Sequence, residues 1–214
     1  MITSRFISFY YSIPLSPKYA IIVPDMQNNK DIKLLAILGM SGSGKSSVVD
    51  YLTKRGVPKI YFGGMIYKEM EKRGIEITPE TQGEFREMIR NTEGDDWVGR
   101  QAVTEAKDLI SAGQKRIVLD GLYSWAEYKL FKHEFPGMLT SIAVVIPKSL
   151  RYERLARRPE RPFSAAEIRD RDLSEIERLQ KGAPIAMADY YILNDGSLDD
   201  LYTHLKAILS EIGF

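Results

Sequence analysis

Residues 34–49 read LLAILGMSGSGKSSVV. Gly39, Gly44, Lys45 and Ser46 stand in the spacing G-x-x-x-x-G-K-S, the pattern of a phosphate-binding P-loop. An apolar run, residues 34–38, precedes the glycines and suits a buried strand. A helix is expected over residues 46–54. Strand, glycine-rich turn and helix together are the context in which the pattern binds phosphate. The alternative is an ordinary Gly/Ser turn. In the phosphate reading, Gly39, Ser41, Gly42, Ser43, Gly44, Lys45, Ser46 and Ser47 form the cradle. Their backbone N–H groups face inward, and the helix adds its positive end. Lys45 reaches the outer phosphates and the Ser46 hydroxyl is placed for Mg²⁺.

The chain has 214 residues, 44% apolar and 28% charged, enough for one domain with a substantial core. A net charge of +1 argues against a broad nucleic-acid surface. The chain has no cysteine, which excludes disulfides and suits a reducing compartment, so a cytoplasmic location is expected. The two histidines, His133 and His204, are isolated and read as surface helix residues. No apolar run is long enough for a membrane span. Residues 1–30 carry Phe6, Phe9, Tyr10 and Tyr11, then Pro14, Pro17 and Pro24. They read as a loose N-terminal arm, with Met26 as an alternative start; Arg5 before a short apolar stretch is only a faint leader signal.

Residues 31–214 alternate strand and helix, which implies a parallel sheet with helices on both faces. Strands are expected at 33–38, 59–62, 116–120, 141–146 and 190–193. Thr78-Pro79, Ser124-x-x-Glu127, Ser164-x-x-Glu167 and Ser197 read as helix starts. The last helix sets Leu198, Leu201, Leu205, Ile208, Leu209 and Ile212 on one face. Residues 63–113 form a helical insertion longer than a crossover needs, read either as a substrate-covering subdomain or as extra scaffold.

Asp120 ends an apolar strand expected beside the P-loop strand, at the carboxyl edge where ligands bind. It is the candidate for holding Mg²⁺ and organising the transfer. The arginines Arg151, Arg154, Arg157, Arg158 and Arg161, then Arg169 and Arg171, suggest a lid over residues 151–172. Arg154, Arg157 and Arg158 are expected on one helical face. Arg154, Arg158 and Arg171 would stabilise charge on the moving phosphoryl group, and Arg157 would hold the nucleotide. The alternative is a solvated face paired with Glu153, Glu160 and Glu167. Asn194 and Gly196, after the last strand, are candidates for reading a nucleotide base, against a plain turn.

Taken together, the P-loop, Asp120-Gly121, the arginine segment and the ending Ala188-Asp189-Tyr190…Asn194-Asp195-Gly196-Ser197 resemble the nucleoside-monophosphate-kinase-like branch of P-loop kinases. Within it they are similar to the small adenylate-kinase-related and dephospho-CoA-kinase-related proteins best represented in archaea. Asp120-Gly121…Glu127 and Arg171-Asp172…Glu175 match segments of that group. The resemblance covers residues 33–214. It implies a three-layer P-loop NTPase fold with a five-stranded parallel sheet in the order 2-3-1-4-5, a substrate-binding insertion and a lid. It also implies ATP and Mg²⁺ and phosphoryl transfer to a small nucleotide-like acceptor. Dephospho-CoA is the second acceptor, and a regulatory NTPase with a decayed acceptor site is the rival. Where the branch carries phosphate-clamping arginines, this chain has Tyr67 and Tyr123. A tyrosine offers a hydrogen bond or a ring face but not a charged bidentate grip. Arg86, Arg90 and Arg100 are the cations left to hold an acceptor anion, with Glu127 a further acceptor-side candidate.

Overall fold

The computed structural model describes residues 31–159 and 162–214. The N-terminal arm, with Arg161 and Glu160, lies outside the described residues. β1 and the P-loop that follows it set the plan. β1 (Lys33–Leu38) runs into the P-loop and α1 (Lys45–Thr53). β2 (Lys59–Tyr61) leads directly into α2 (Phe62–Lys72), α3 (Pro79–Glu93) and α4 (Trp97–Ser111). β3 (Arg116–Asp120), α5 (Trp125–Glu134) and β4 (Leu139–Val145) follow, then α6 (Lys148–Ala156) and α7 (Ala165–Leu173). A π-helical turn at Ser174–Arg178, α8 (Gly182–Ala186), β5 (Tyr190–Leu193) and α9 (Leu198–Ile212) complete the chain.

The sheet has the order β2-β3-β1-β4-β5, and every pairing is parallel. Alternation along β1 makes the layers. Leu34, Ala36 and Leu38 face one side, packing with Phe62, Ala102 and Phe131 from α2, α4 and α5. Leu35 and Ile37 face the other, against Val48, Val49 and Leu52 of α1 and Leu201 and Leu205 of α9. A third, smaller cluster of Ile66, Met70, Phe85 and Ile89 lies wholly within the insertion, which therefore has an apolar core of its own.

The helix starts are built as their sequences imply. Thr78, Ser124, Ser164 and Ser197 each close a reciprocal capping box. Three expectations are corrected. Phe62 opens α2 instead of ending β2, because its ring is buried against Phe131 and the chain must turn at Tyr61 to put it there. The fourth strand begins at Leu139, two residues early, and ends at Val145. Leu198 is exposed at the first position of α9, before the helix reaches the sheet. His133 and His204 lie exposed on α5 and α9 as expected. Among the described residues no helix is long and apolar enough to cross a membrane.

Candidate active site

The P-loop is braced from two sides. Gly39 has φ 140°, and a Cβ there would stand 2.5 Å from the Val144 carbonyl oxygen of β4. Gly44, at φ 103°, has the Asn194 amide where a Cβ would go. Asn194 Nδ2 donates to the Ser43 carbonyl at 2.7 Å, and Asn194 is buried. The loop after β5 therefore fixes the P-loop's shape. Asn194 serves the cradle's backbone instead of presenting a group to a base, and Gly196 is exposed and packed only on Asp200.

The cradle fits an anion. Ser43 Oγ is buried and has no hydrogen-bond partner among the described residues. The first turn of α1 carries neither a capping side chain nor an acidic residue. Ser46 stands exposed in that turn, with Ser47 beside it half-buried. Lys45 Nζ donates to the Met40 carbonyl at 2.9 Å. Burial, and then the neighbouring charge of Lys181, pull the Lys45 ammonium down to about 7. A buried cation held near neutrality regains its charge when phosphate arrives.

Asp120 lies opposite Ile37 in the β1–β3 register, at the carboxyl edge of the sheet. Burial raises its carboxyl above the ordinary value, while Lys59, 3.8 Å away, and Lys45 oppose that. No cluster of three or more His, Cys, Asp or Glu suited to a metal occurs among the described residues. Ser46, in the first turn of α1, and Asp120, at the end of β3, are the two residues the sequence offers for a metal.

Beyond the P-loop, a cavity of about 230 Å³ opens between Ser41 and Gly121 on one side and α2, α3 and α4 on the other. Arg86 and Arg90, one helical turn apart on α3, line it with Tyr61, Tyr67, Trp97 and Tyr123. Arg171, Glu127, Glu175 and Lys181 reach it too. The Tyr67 hydroxyl donates to Gln82 Oε1 at 3.3 Å. Glu127 is fully taken into the protein. Its Oε2 accepts from the backbone N–H groups of Tyr123 and Ser124, both at 2.9 Å. Its first task is therefore to cap α5, not to hold an acceptor. Arg100 turns away to Asp96 and the Glu93 carbonyl.

The arginine segment divides. Arg154, Arg157 and Arg158 do not share a helical face, because α6 ends at Ala156. Arg157, 78% exposed, pairs with Glu153 at 2.7 Å, and none of the three lines the cavity. Arg169 is exposed on α7. Arg171 lines the cavity, its Nε donating to Ser41 Oγ at 2.8 Å. Arg151 is buried, pairs with Asp172 through both nitrogens, and also donates to the Ser41 carbonyl at 3.2 Å.

A family model described as an AAA domain matches residues 35–179. The chain is 34% identical over 182 residues to a UPF0200 protein of Thermococcus onnurineus, covering 84% of this chain and 97% of the relative. A UPF0200 protein of Hyperthermus butylicus is 32% identical over 181 residues, with 84% and 94% covered. The chain belongs to the UPF0200 family. Among solved structures, the UPF0200 chain is similar to TT1252 from Thermus thermophilus, with TM-score 0.60 and 21% identity over 84% of this chain and 97% of that one. A shikimate kinase from Bacteroides thetaiotaomicron gives TM-score 0.53 at 12% identity, covering 85% and 99%. A dephospho-CoA kinase from Campylobacter jejuni gives 0.52 at 15%, covering 84% and 97%. The fold is that of small P-loop kinases.

Two residues of this UPF0200 site carry no obvious mark in the sequence. Lys181 sits alone before a short helix, and Tyr61 reads as an ordinary strand residue. Glu175 is signalled only by its place in Arg171-Asp172…Glu175. Its carboxylate accepts from the Ser41 N–H at 3.0 Å and from the Ser41 hydroxyl. Burial pushes the Glu175 carboxyl up, but Lys181 and the Ser41 hydrogen bonds outweigh it and hold it at about 2.

Proposed function

We propose that this protein is an ATP-dependent phosphotransferase that moves the γ-phosphoryl group to a small nucleotide-like acceptor. The observation that carries the reading is one continuous cavity. It is lined both by the P-loop residue Ser41 and by Arg86 and Arg90 of α3. A site that only bound nucleotide would need the cradle but not a second, cationic and aromatic chamber beyond it.

MgATP, when bound, supplies the phosphoryl group. The chain's own residues do the rest. The cradle from Gly39 to Ser47 aligns the phosphates with backbone N–H groups, and Lys45 neutralises the outer oxygens. Ser46 and Asp120 would hold the metal. Asp120, at the carboxyl edge of the sheet, would also orient the acceptor's attacking hydroxyl. Arg86 and Arg90 grip an anionic group of the acceptor, and Tyr67, Trp97 and Tyr123 offer ring faces to its planar part. Arg171 closes the cavity from the lid side.

ADP release from MgATP is to be measured against nucleosides, nucleoside monophosphates and dephospho-CoA, with a control lacking acceptor. Strong stimulation by one acceptor is expected. Slow ADP release that no acceptor changes would overturn the transferase reading in favour of a nucleotide-dependent switch.

A further inference from the structure

Lys181 and Glu175 form a buried ion pair, each side chain 5% exposed, with Nζ 2.9 Å from Oε1. The π-helical turn Ser174–Arg178 aims Glu175 inward, and the Lys181 N–H closes on the Glu175 carbonyl at 3.1 Å. π-helical turns are rare and concentrate at functional sites. The pair does not sit in the scaffold. Glu175 is bonded to Ser41 of the P-loop, and Lys181 lines both the acceptor cavity and the small recess beside Gly39.

Tyr123 fixes the position further. The Lys181 ammonium lies 3.9 Å from the centre of its ring, and the Lys45 ammonium 6.0 Å from the same centre. The two lysines thus both approach one tyrosine at the junction of cradle and cavity. An ammonium has three N–H donors, and Glu175 takes one. Arg171 and Lys181 lie here with Lys45, whose charge returns when phosphate binds, around the carboxylate of Glu175, so an arriving phosphate meets more cations than anions. That excess suits the end of a polyphosphate chain. Of the lid arginines expected to act on the moving phosphoryl group, Arg171 is here, and Arg154 and Arg158 do not line the cavity.

We propose that Lys181 binds the outermost phosphate of the donor from the acceptor side, alongside Lys45, with Glu175 as the positioning residue that holds its ammonium there. This rests on the phosphotransferase reading. It assigns the lid's cation to a lysine beyond the arginine segment.

The test is calorimetric titration of the full chain with MgATP and with MgADP, which differ by that phosphate. Wild type should prefer ATP. Lys181→Met should lose roughly tenfold of that preference while ADP affinity stays within about twofold. Lys181→Arg should keep most of it. The double variant Lys181→Met with Glu175→Gln removes both charges together. It should remain deficient, and it carries the test if the single variant does not fold. An unchanged preference, or equal weakening of both nucleotides, would overturn the proposal. So would a preference restored in the double variant, since Lys181 would then merely neutralise Glu175. A wild type that prefers ATP but shows no acceptor-stimulated ADP release would sink the transferase reading alone. A wild type that fails to bind ATP would sink both.

Discussion

Arg151 and Asp172 meet as a buried two-pronged pair that ties the start of α6 to the end of α7, with Nη1 2.6 Å from Oδ1. Tyr152 adds a hydrogen bond to the same carboxylate at 3.1 Å, and Arg151 reaches on to the Ser41 carbonyl. The two ends of residues 151–172 are therefore clasped to each other and to the P-loop.

Breaking that pair from one side leaves a buried guanidinium without its partner. Asp172→Ala should destabilise the fold by about 3–5 kcal/mol in urea unfolding. Replacing both partners, Arg151→Met with Asp172→Leu, should recover most of the stability. The double variant nevertheless loses the donor to Ser41, so its MgATP affinity should stay weak. Recovery of both properties would mean that Arg151 matters only for folding.

Lys45 sets a pH signature for nucleotide binding. Its free-state value is about 7, lowered by burial and by Lys181. A bound phosphate requires the charged form and raises that value. Above pH 7 binding must therefore take up a proton, approaching one per site near pH 8. Calorimetry in buffers of different ionisation enthalpy reads this directly. Lys45→Met should abolish both the uptake and any phosphoryl transfer, with the fold intact by circular dichroism. Uptake that survives in Lys45→Met would assign the titration elsewhere.

The strands and the P-loop were legible because both are local, whereas the sheet order came from the family resemblance. Apolar runs mark β1, β3 and β5 at the bounds observed, and the glycine spacing fixes the turn. The cavity was legible in part, since Tyr67, Arg86, Arg90, Tyr123 and Arg171 all line it. The sequence could not show what happens after α6. Charge clustering brought Arg154, Arg157 and Arg158 forward, yet burial decides which cation faces a site, and burial depends on where the helix stops. Lys181 gives no pattern because its partners, Glu175 and Tyr123, come from separate parts of the chain. Asn194 was singled out, but its target is the backbone of Ser43, a contact across 151 residues.

Asn194→Ala removes that contact and the amide wedged over Gly44. A lost hydrogen bond to a buried carbonyl costs about 1–3 kcal/mol. Thermal unfolding should show a loss in that range. MgATP affinity should fall with it, because the cradle is no longer held in shape. Intact affinity would make the brace a stability device alone.

Glu175 gives a second pH signature, of opposite sense to Lys45. Its carboxyl is held at about 2, below the unfolded value of 4.5. The stabilisation is fully present above about 4.5 and is lost as pH falls toward 2. At neutral pH it amounts to roughly 3 kcal/mol, by the conversion of about 1.4 kcal/mol per pH unit. Subtracting the stability of Glu175→Gln from that of wild type at each pH isolates the group. The difference should shrink between pH 4.5 and 2 and be flat from 5 to 7. A difference that does not move with pH would mean that folding leaves the Glu175 carboxyl at its unfolded value, and one that falls above pH 4.5 would mean that Glu175 is neutral in the folded protein.

The acceptor side can be separated from the donor side by kinetics. Arg86 and Arg90 line the cavity from α3, about a helical turn apart. Arg86→Ala and Arg90→Ala should each raise the acceptor KM by roughly tenfold or more, the loss expected for one charge-assisted hydrogen bond, and leave the KM for ATP within about twofold. Adding a cation should act differently at the two tyrosines. Tyr67 is half-buried beside Arg86 and Arg90, so Tyr67→Arg should tighten binding of a nucleoside monophosphate in a titration. Lys45 and Lys181 both approach Tyr123, so Tyr123→Arg crowds a third cation into a buried site and should lower the unfolding temperature instead. If the two arginine-to-alanine variants raise the KM for ATP and not for the acceptor, α3 faces the donor and the acceptor role assigned to it must be given up.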